Sequence, residues 1–493
     1  MPAMETRPAS LYTAQQVREL DRRAIEDFGV PGYELMTRAG HATLNSLRAM
    51  WPAARSLCVL CGPGNNGGDG YVVARVARAQ GLRVNVVALV DPQSLQGDAR
   101  KAYDDFAQAG GEHQPFSAAA LEADVLVDAV FGTGLTRAIE GEAADALAAL
   151  NAAGRPVVAV DIPSGLHADT GAAPGVAVRA DLTSTFIGRK LGFYLGEGPE
   201  LTGHLVFDAL GVPKATYDGV PVSAELLAED AVRQALPRRP RAAHKGLYGH
   251  VLVVGGGPGM PGAARLAGEA ALRCGAGLVT VATHPSSLAV IAGRPELMGR
   301  AVTDAGDVSD ALQRASVVAL GPGLGQSAWA KQVWRTVLAS GHPMVVDADA
   351  LNLLAAEPAT GNWVLTPHPG EAARLLGVSS AEVQADRLSA ARELQQRFGG
   401  TVVLKGAGSI VQSAGHAPYI CDRGNPGMAV AGMGDVLTGL VAGIAAQCGD
   451  LELAARAAVF VHAQAGDLAA RKGERGLLAG DLMDQVRACV NSE

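Results

Sequence analysis

Asn425-Pro-Gly-Met-Ala-Val-Ala-Gly-Met-Gly-Asp435-Val-Leu-Thr-Gly439 is the stretch that decides the fold of the second half of this chain. In it, a glycine-rich loop brings one carboxylate, that of Asp435, to the start of an apolar helical segment. Apolar residues then recur at the spacing of one buried helix face: Val436, Leu437, Leu440, Val441 and Ile444. Gly432 and Gly434 lack a Cβ, so the backbone can approach a ligand closely.

The chemistry of this loop points to phosphoryl transfer. The first N–H groups of a helix have no intrahelical acceptors, and with the helix dipole they form an anion site. A carboxylate beside such a site suits a general base acting next to a phosphoryl group in transfer. The alternative is an ordinary capped helix after a flexible turn, but a cap does not need a Gly-x-Gly before it. We therefore predict that Asp435 is a catalytic base.

The amino-acid composition limits the classes of protein to which this chain can belong. The 493 residues suffice for two or three domains with full cores. A content of 48% hydrophobic residues with 62 glycines and only 4% aromatic residues is typical of repeated βα units with glycine-rich turns. The formal net charge of −8 argues against a general nucleic-acid or anionic-membrane binder. An anionic ligand must then be held by local dipoles.

The cysteines indicate a reducing compartment. Six are scattered over the chain, which is no disulfide framework for this length and leads us to expect a cytoplasmic protein. Cys58 and Cys61 form a Cys-x-x-Cys, but they lie in an apolar run and no second ligand pair follows, so a metal or redox role is disfavoured. We expect no signal sequence and no membrane span, because neither an apolar signal core nor a run of about 18 apolar residues occurs.

The first half begins with two predicted helices within residues 11–50, followed by a strand at Leu57–Cys61. The glycine-rich word Gly62–Gly70 comes next, and a helical pattern runs from Tyr71 to Ala79. Strand, glycine-rich turn and helix is the order that cradles phosphates. The word is neither Gly-x-Gly-x-x-Gly nor a P-loop, and a plain hydrophilic turn is the alternative.

Three more predicted strands end in polar residues. They are Val84–Val90, Val125–Val130 and Pro156–Ile162. In an open α/β sheet, ligands bind outside the carboxyl ends of the strands. Asn66, Asp128 and Ser164 are oxygen donors at three such ends and could hold a hard monovalent or divalent cation, which the residues alone do not identify. The alternative is that a strand-end Asp merely caps a helix.

A boundary is predicted near residue 220. Over residues 212–244, proline and charge replace apolar periodicity, and the basic cluster Arg238–Arg241 is interpreted as a solvated linker. The predicted domains are therefore 1–220 and 221–493. Neither an internal repeat nor a low-complexity segment is visible.

The second half restarts the βα alternation. Val251–Val254 leads into Gly255–Gly262 and an alanine-rich helix, and polar or glycine words follow two later strands at Gly321–Gly325 and Asp347-Ala-Asp349. The further predicted strands are Leu278–Ala282, Val317–Leu320, Met344–Asp347, Trp363–Leu365 and Val402–Leu404. We predict an α/β fold for both halves.

Four sequence motifs resemble those of known protein families. Lys245-Gly-Leu-Tyr-Gly-His-Val-Leu-Val-Val-Gly-Gly, Thr366-Pro-His-Pro-Gly-Glu371 and Lys405-Gly-Ala-Gly-Ser409 resemble the ribokinase-like, ADP/ATP-dependent NAD(P)H-hydrate dehydratases. Asn65-Asn-Gly-Gly-Asp-Gly70 resembles the NAD(P)H-hydrate epimerases. From about residue 10 to its end, the chain is similar to bifunctional nicotinamide-nucleotide repair enzymes. The resemblance implies a Rossmann-like three-layer αβα epimerase domain followed by a ribokinase-like αβα dehydratase domain.

The resemblance also implies site residues for the epimerase. Asp161 would move protons near C6 of the nicotinamide ring or its hydroxyl, and Asn66, Asp128 and Ser164 would bind potassium. The implied substrate-binding residues are Asn65, Asn66, Gly67, Gly68, Asp69, Gly132, Thr133, Gly134, Leu135, Thr136, Arg137, Ala138 and Asp161.

For the dehydratase, the resemblance makes Asp435 the base and Glu371 the residue that organises Mg²⁺ through water, as one carboxylate plus phosphates can do. The implied substrate-binding residues are Ala263, Gly323, Gly325, His368 and Asp435. The implied nucleotide-binding residues are Lys405, Gly406, Ala407, Gly408, Ser409 and Gly434. His368 could instead be a satisfied loop histidine. Met433 departs from the small polar residue common in the family, which puts a side-chain hydroxyl contact there in doubt.

The implied function is repair of hydrated nicotinamide cofactors. The epimerase half would interconvert the R and S hydrates of NADH or NADPH, and the dehydratase half would return the S form to the cofactor at the expense of ADP or ATP. The alternative is a kinase of a vitamin-precursor alcohol fused to a regulatory dinucleotide-binding domain. We expect a small-molecule substrate, no nucleic-acid or membrane partner, and a homo-oligomer. The preferred nucleotide and the preferred cofactor stay open.

Overall fold

A computed structural model describes residues 10–135 and 137–491. The chain divides into two compact units, of which unit 1 ends at Ala224 and unit 2 begins at Glu225. Each unit is built around its own predominantly parallel sheet. None of the helices in the described ranges combines the length and the apolar character that crossing a bilayer requires.

Unit 1 alternates strands and helices. Its strands are β1 (Ser10–Tyr12), β2 (Ser56–Cys61), β3 (Arg83–Ala88), β4 (His113–Gln114), β5 (Val125–Ala129), β6 (Val157–Val160), β7 (Leu182–Phe186), β8 (Arg189–Lys190) and β9 (His204–Asp208). Its helices are α1 (Ala14–Arg22), α2 (Gly32–Met50), α3 (Asn65–Ala79), α4 (Gly97–Gln108), α5 (Gly141–Ala152) and α6 (Gly198–Leu201), with a π-helical turn at Arg23–Asp27. The predicted early helices and the four predicted strands are confirmed, with ends shifted by one or two residues.

The sheet of unit 1 has the strand order β4-β3-β2-β5-β6-β7-β9, with all neighbours parallel. Alternate residues of β2 face opposite layers. Leu57 and Val59 pack in the cluster that contains the apolar residues of α2 and α3, whereas Leu60 packs with Leu147 and Leu150 of α5. Helices therefore cover both faces, as a parallel sheet requires. β1 pairs in parallel with β8.

Unit 2 repeats this alternation over a longer stretch. Its strands are β10 (Ala224–Leu226, beginning at the junction), β11 (His250–Gly255), β12 (Leu278–Thr283), β13 (Met298–Ala301), β14 (Val317–Leu320), β15 (Met344–Val346), β16 (Trp363–Leu365), β17 (Thr401–Leu404), β18 (Ser409–Gln412) and β19 (Tyr419–Cys421). Its helices are α7 (Asp230–Ala235), α8 (Pro261–Arg273), α9 (Leu288–Ile291), α10 (Ala305–Leu312), α11 (Ala328–Ala339), α12 (Asp349–Ala356), α13 (Pro369–Leu376), α14 (Ser380–Ala385), α15 (Arg387–Phe398), α16 (Met433–Cys448), α17 (Leu451–Ala470) and α18 (Ala479–Cys489).

The sheet of unit 2 runs β13-β12-β11-β14-β15-β16-β17-β18-β19-β10. Only β18 among these strands is antiparallel to its neighbours. Val251 and Val253 of β11 face α8 and α16, whose apolar residues share their cluster, and Leu252 and Val254 on the opposite face are also buried. The predicted amphipathic face of α16 is confirmed, because its five apolar residues are all buried.

The structure corrects three local predictions. Helix α3 begins at Asn65, not at Tyr71, so the glycine-rich word forms its first turns. The close packing explains this, since a Cβ on Gly67 would lie 2.1 Å from the Gly62 carbonyl oxygen. Residues 212–244, where the sequence showed only proline and charge, also contain β10 and α7, whereas the cluster Arg238–Arg241 that was interpreted as a linker lies outside helices and strands. The strands β13, β18 and β19 were not predicted from the sequence.

Candidate active sites

In unit 1, the site lies where the strand order changes direction. The chain fills β2, β3 and β4 toward one edge and then returns to place β5 on the other side of β2. The carboxyl ends of β2 and β5 therefore border the topological switch point, where α/β sheets bind ligands. A cavity of about 870 Å³ lies there. Residues that line it include Asn65, Asn66, Asp69, Gly132, Thr133, Gly134, Leu135, Arg137, Ala138 and Asp161.

Two of the predicted substrate residues do not line this cavity. Gly67 and Gly68 sit in the first turn of α3 and are buried. A Cβ on Gly68 would meet the Met36 side chain at 2.7 Å, so these glycines serve close packing. Thr136 lies outside the described residues.

Asp128 and Ser164 form one buried polar group. The Ser164 hydroxyl donates to Asp128 Oδ1 (2.6 Å) and its N–H donates to Oδ2 (2.7 Å). The Phe131 N–H donates to the Ser164 hydroxyl (2.8 Å). Burial raises the pKa of Asp128 to about 6, although the hydrogen bonds from Ser164 oppose this shift.

Asn66 also lines the cavity, and its side chain has no hydrogen-bond partner in the described chain. It is 7% exposed, and both its amide nitrogen and its amide oxygen lack such a partner. A Cβ on Gly132, the residue after Phe131, would lie 3.5 Å from the Asn66 Cβ. Buried polar atoms without partners are costly, so the side chain is built to meet a ligand or an ion.

Asp161 is held by a lysine that sequence reasoning missed. Asp161 follows β6 with φ +66°, in the left-handed region that Asp tolerates better than most residues. Lys190 is fully buried, and its Nζ forms an ion pair with Asp161 and donates to Thr185 Oγ1 (2.7 Å). A buried ammonium stabilises the ionised carboxylate beside it. The available signal was a lysine within the largely apolar stretch Thr185–Phe193.

Two further carboxyl groups share the cavity with Asp161. Burial raises the pKa of Asp21 to about 7; the Lys190 charge opposes this shift and the Asp161 charge adds to it. Burial, followed by the charges of Asp161 and Asp21, raises the pKa of Asp69 well above its usual range. Sequence reasoning missed Asp21, whose signal was its place directly after the buried Leu20 of α1.

Unit 2 places its site at an equivalent change of direction. The chain fills β11, β12 and β13 and then returns to β14 on the other side of β11. The loops at the carboxyl ends of the parallel strands therefore lie at one edge of the sheet. They follow β11, β14, β15, β16 and β17. Gly432 caps α16 with φ +93°, a conformation that favours glycine, and Asp435 lies in the first helical turn.

Asp435 has the protonation behaviour of a base that works near neutral pH. Burial raises the pKa of Asp435 to about 7; the charge of Asp347 adds to the shift, Lys405 opposes it, and Asp349 adds to it. A base with a pKa near the working pH is the most effective in proton transfer.

Asp347 and Lys405 form an ion pair in this site, and the Asp347 side chain is buried. Lys405 Nζ lies 2.7 Å from Asp347 Oδ1, and the Thr438 hydroxyl donates to Asp347 Oδ2 (2.8 Å). Burial alone would raise the pKa of Asp347, but the Lys405 charge and the hydrogen bonds lower it. A Cβ on Gly434 would lie 3.2 Å from Lys405 Nζ, so a glycine lets the helix start approach the pair. Sequence reasoning noted the polar segment Asp347-Ala-Asp349 but assigned no role to Asp347, and it did not identify Thr438.

Glu371 and His368 share a capping box at the start of α13. The His368 N–H donates to Glu371 Oε2 (2.8 Å), and His368 Nδ1 accepts from the Gly370 N–H (3.0 Å). Burial raises the pKa of Glu371 to about 7, with Lys405 opposing the shift and Asp347 adding to it. Glu371 Oε2 lies 3.9 Å from Lys405 Nζ. His368 thus has a structural role, while 57% of its side chain stays exposed for a substrate.

The remaining predicted substrate residues of unit 2 lie on facing turns. A Cβ on Gly323 would lie 3.2 Å from the Ala263 Cβ, at the start of α8. The Gly325 N–H donates to Asp349 Oδ2 (2.8 Å). The charge of Asp349 also contributes to raising the pKa of Asp435, so these turns lie on the same side of unit 2 as Asp435.

Two buried side chains support the loops of this site. Arg387 is 2% exposed, and its Nη2 donates to the carbonyl oxygens of Lys405 (3.3 Å) and Gly408 (3.4 Å), which fixes the predicted nucleotide loop Lys405–Ser409. His462 Nε2 lies 3.0 Å from the Met433 carbonyl oxygen at the start of α16. Burial lowers the pKa of His462 to about 4, so the ring is neutral near pH 7 and donates this hydrogen bond.

Comparison with known proteins assigns each unit. Residues 32–192 match the family described as YjeF-related protein N-terminus, and residues 251–487 match the family described as NAD(P)H-hydrate dehydratase. A ribokinase-like superfamily protein of known structure from Enterococcus faecalis is 30% identical, with a TM-score of 0.51 over 54% of this chain and 95% of that chain. The predicted two-domain α/β architecture is confirmed.

Some curated relatives match this chain along nearly its whole length and therefore contain both units. A bifunctional NAD(P)H-hydrate repair enzyme from Coxiella burnetii is 47% identical over 98% of this chain and 99% of its own. The enzyme of the same name from Escherichia coli is 45% identical over 99% of this chain and 95% of its own. The chain therefore belongs to the family of bifunctional NAD(P)H-hydrate repair enzymes, in which an epimerase and a dehydratase are fused in one polypeptide.

Proposed function

We propose that residues 221–493 dehydrate the S hydrate of NADH or NADPH with ADP or ATP as co-substrate, and that Asp435 is the base. The observation that carries this proposal is the half-buried Asp435 in the first turn of α16, with a pKa of about 7, next to Lys405 and free helix N–H groups. In the substrate, C6 of the ring carries both the hydroxyl and the ring nitrogen. Hydroxide is a poor leaving group, whereas phosphate is a good one.

The reaction then follows in three steps. Asp435 removes the proton of the C6 hydroxyl as the hydroxyl oxygen attacks the terminal phosphoryl group, and AMP or ADP leaves. Lys405 and the N–H groups at the start of α16 hold the charge that develops on the phosphoryl oxygens. The lone pair of the ring nitrogen expels phosphate, and loss of a C5 proton restores the dihydropyridine.

Glu371 fits a magnesium ion held through water. Mg²⁺ keeps several of its waters and is bound by one carboxylate together with the phosphates of the substrate, so a direct cage of carboxylates is not required. When bound, Mg²⁺ supplies charge neutralisation for the phosphate oxygens of the nucleotide.

Glu371→Gln should raise the Mg²⁺ concentration needed for half-maximal dehydration, because the neutral amide no longer attracts the ion's water shell. Both the carboxylate and the amide can accept the N–H of His368, so the helix cap should survive. Magnesium titration of the dehydration rate is the measurement. A titration curve unchanged from the wild type contradicts the proposed role.

For residues 1–220 we propose the epimerase activity, with Asp161 moving protons and the 870 Å³ cavity holding the hydrate. The orphaned Asn66 and the buried oxygens of Asp128 and Ser164 support a cation here. Their donor set, one carboxylate with neutral oxygens, suits a hard cation, and the family resemblance implies that this cation is potassium. When bound, K⁺ supplies a fixed positive charge beside the substrate.

Asp128→Asn should weaken epimerisation and raise its K⁺ requirement while dehydration of the S hydrate continues. The amide removes the charge that attracts the cation but keeps the size of the buried side chain. Both activities are measured against K⁺ concentration, with Na⁺ replacing K⁺ at constant ionic strength. Equal losses in both activities, or a rate of epimerisation that does not depend on K⁺ concentration, would contradict the assignment of a potassium site.

We further propose that the protein is a cytoplasmic homo-oligomer with a small-molecule substrate. The six cysteines are all free, which suits a reducing compartment. Light scattering of the purified chain tests the oligomer.

The product identifies the reaction. With S hydrate, Mg²⁺ and nucleotide, the proposed function requires reduced cofactor and free phosphate to appear together. A stable phosphorylated product would favour the kinase of a vitamin-precursor alcohol, which the whole-chain relatives do not support.

A further inference from the structure

The helix α1 places an unpartnered carboxyl group in the cavity of unit 1. Asp21 lies in the last turn of α1, directly before the π-helical turn Arg23–Asp27, and lines the cavity together with Asp161. Asp21 makes no hydrogen bond or ion pair within the described ranges, in contrast to its neighbour Arg22, which pairs with Glu19. π-helical turns occur frequently at functional sites.

The single buried cation of this cluster cannot compensate every carboxyl group. Lys190 Nζ directs its contacts to Asp161, Thr185 and the Phe186 carbonyl oxygen, which accounts for its three protons. Asp161 is therefore the carboxyl group with a direct cationic partner. Asp21 and Asp69 share the electrostatics of this cluster without a direct cationic partner, which favours their protonated forms.

The cluster thus offers a base and an acid in one cavity. One carboxyl group paired with an ammonium and another without such a partner can divide the roles of base and acid between them. Asn66, 7% exposed and unpartnered, lines the same cavity and independently indicates that a polar ligand enters it.

We propose that Asp21 is the proton-transfer partner of Asp161, and that together they epimerise the hydrate by opening and reclosing its ring at C6. The inference rests on the epimerase function proposed for residues 1–220. C6 carries a hydroxyl group and the ring nitrogen, as in a hemiaminal, so inversion requires a base at the hydroxyl and an acid at the nitrogen.

The proton and electron balance is complete without another reactant. Asp161 takes the hydroxyl proton, the C6–N1 bond breaks toward nitrogen, C6 becomes an aldehyde, and Asp21 gives its proton to N1. Rotation about C5–C6 presents the other face of the aldehyde. N1 then attacks C6, Asp21 regains the N1 proton, and Asp161 returns its proton to the new alkoxide.

Other charged groups also face the cavity. They are Arg18 on α1, Asp69 on α3, Asp98 on α4, and Arg137 and Glu140 on the segment after β5, besides Lys190 and Asp161. Arg18 and Arg137 are exposed and form no ion pair with Asp21 in the described ranges. Burial raises the pKa of both Asp21 and Asp69, and Asp21 is distinguished from Asp69 by its position beside the π-helical turn.

The test compares Asp21→Asn with Asp27→Asn, the same change at an exposed carboxyl group of the π-helical turn that is not among the residues lining the cavity. Purified R hydrate is the substrate, and appearance of the S form is followed from pH 5 to 9. We expect the wild-type rate to decline at alkaline pH, and Asp21→Asn to lose both roughly 10²-fold in epimerisation rate and this decline. Asp27→Asn should keep the wild-type rate and profile.

Two controls make the result decisive. Hydrate binding and the thermal unfolding curve of the full chain report whether Asp21→Asn leaves unit 1 intact. In H₂¹⁸O, ring opening retains the original C6 oxygen on most inversions, whereas loss of hydroxide would introduce solvent oxygen each time. A folded Asp21→Asn protein with the wild-type rate and profile, or one solvent oxygen incorporated per inversion, overturns the proposal. A wild-type protein that does not epimerise the hydrate at all overturns the proposed function instead.

Discussion

Asp435→Asn should lower the rate of nucleotide-dependent dehydration by roughly 10²–10⁴-fold, the usual contribution of a general base. The amide keeps the shape of the side chain but cannot accept the hydroxyl proton. Nucleotide binding should persist, because the helix N–H groups, Lys405 and the loop fixed by Arg387 are unchanged. The measurement is kcat with purified S hydrate, together with nucleotide affinity by calorimetry.

The pH dependence assigns the same base. A base must be deprotonated to act, so the wild-type rate should fall as the pH drops below about 7, the pKa to which burial raises Asp435. Glu371 has a pKa of about 7 as well and would contribute a fall in the same direction. The residual rate of Asp435→Asn should keep only the Glu371 contribution, which Glu371→Gln removes in turn.

Epimerisation should continue in Asp435→Asn, because the residues proposed for it all lie before residue 200. If this variant remains folded and both activities vanish, the assignment of one active site to each unit is wrong. A composite site would then be the better account.

Asp161→Asn should produce the converse defect, a loss of roughly 10²–10⁴-fold in epimerisation with normal dehydration of the S hydrate. The amide cannot take up the hydroxyl proton, and its NH₂ group no longer attracts the Lys190 ammonium. The R hydrate should linger, consumed only as fast as it converts spontaneously. Chromatographic separation of the two epimers during the reaction measures this.

Lys190→Met separates positioning from direct participation. Lys190 is fully buried and forms an ion pair with Asp161, so its loss should lower the rate of epimerisation and change the pH dependence of that rate. An unchanged profile in a folded Lys190→Met protein contradicts the role given to the ion pair.

Some of the juxtapositions could be predicted from the sequence for a topological reason. Parallel strands bring their carboxyl ends to one edge, so the segments after Cys61, Ala129 and Val160 of unit 1 were expected to meet without knowledge of the strand order. The periodicity of α16 also sufficed, because a helix buried on nearly every side leaves a strong apolar signal.

The partners of the predicted residues could not be derived from the sequence. Lys405 and Asp347 are 58 residues apart, and Thr438 and Asp347 are 91 residues apart. Which strand ends become neighbours depends on the order in the sheet, which local patterns do not encode. The start of α3 was misplaced for a related reason, because tertiary packing around Gly67 and Gly68 overrides the low helix propensity of glycine.

The central claim is that each unit carries a complete active site and that the hydrate passes between them. An equimolar mixture of the Asp161→Asn and Asp435→Asn proteins tests it most directly, with both hydrate epimers, Mg²⁺ and nucleotide present and the reduced cofactor followed by its absorbance. Asp161→Asn alone should stop when the S hydrate is spent, and Asp435→Asn alone should produce almost no cofactor. The mixture should convert all of the hydrate, because each protein supplies the activity that the other lacks. A mixture that stops where Asp161→Asn alone stops would contradict the claim.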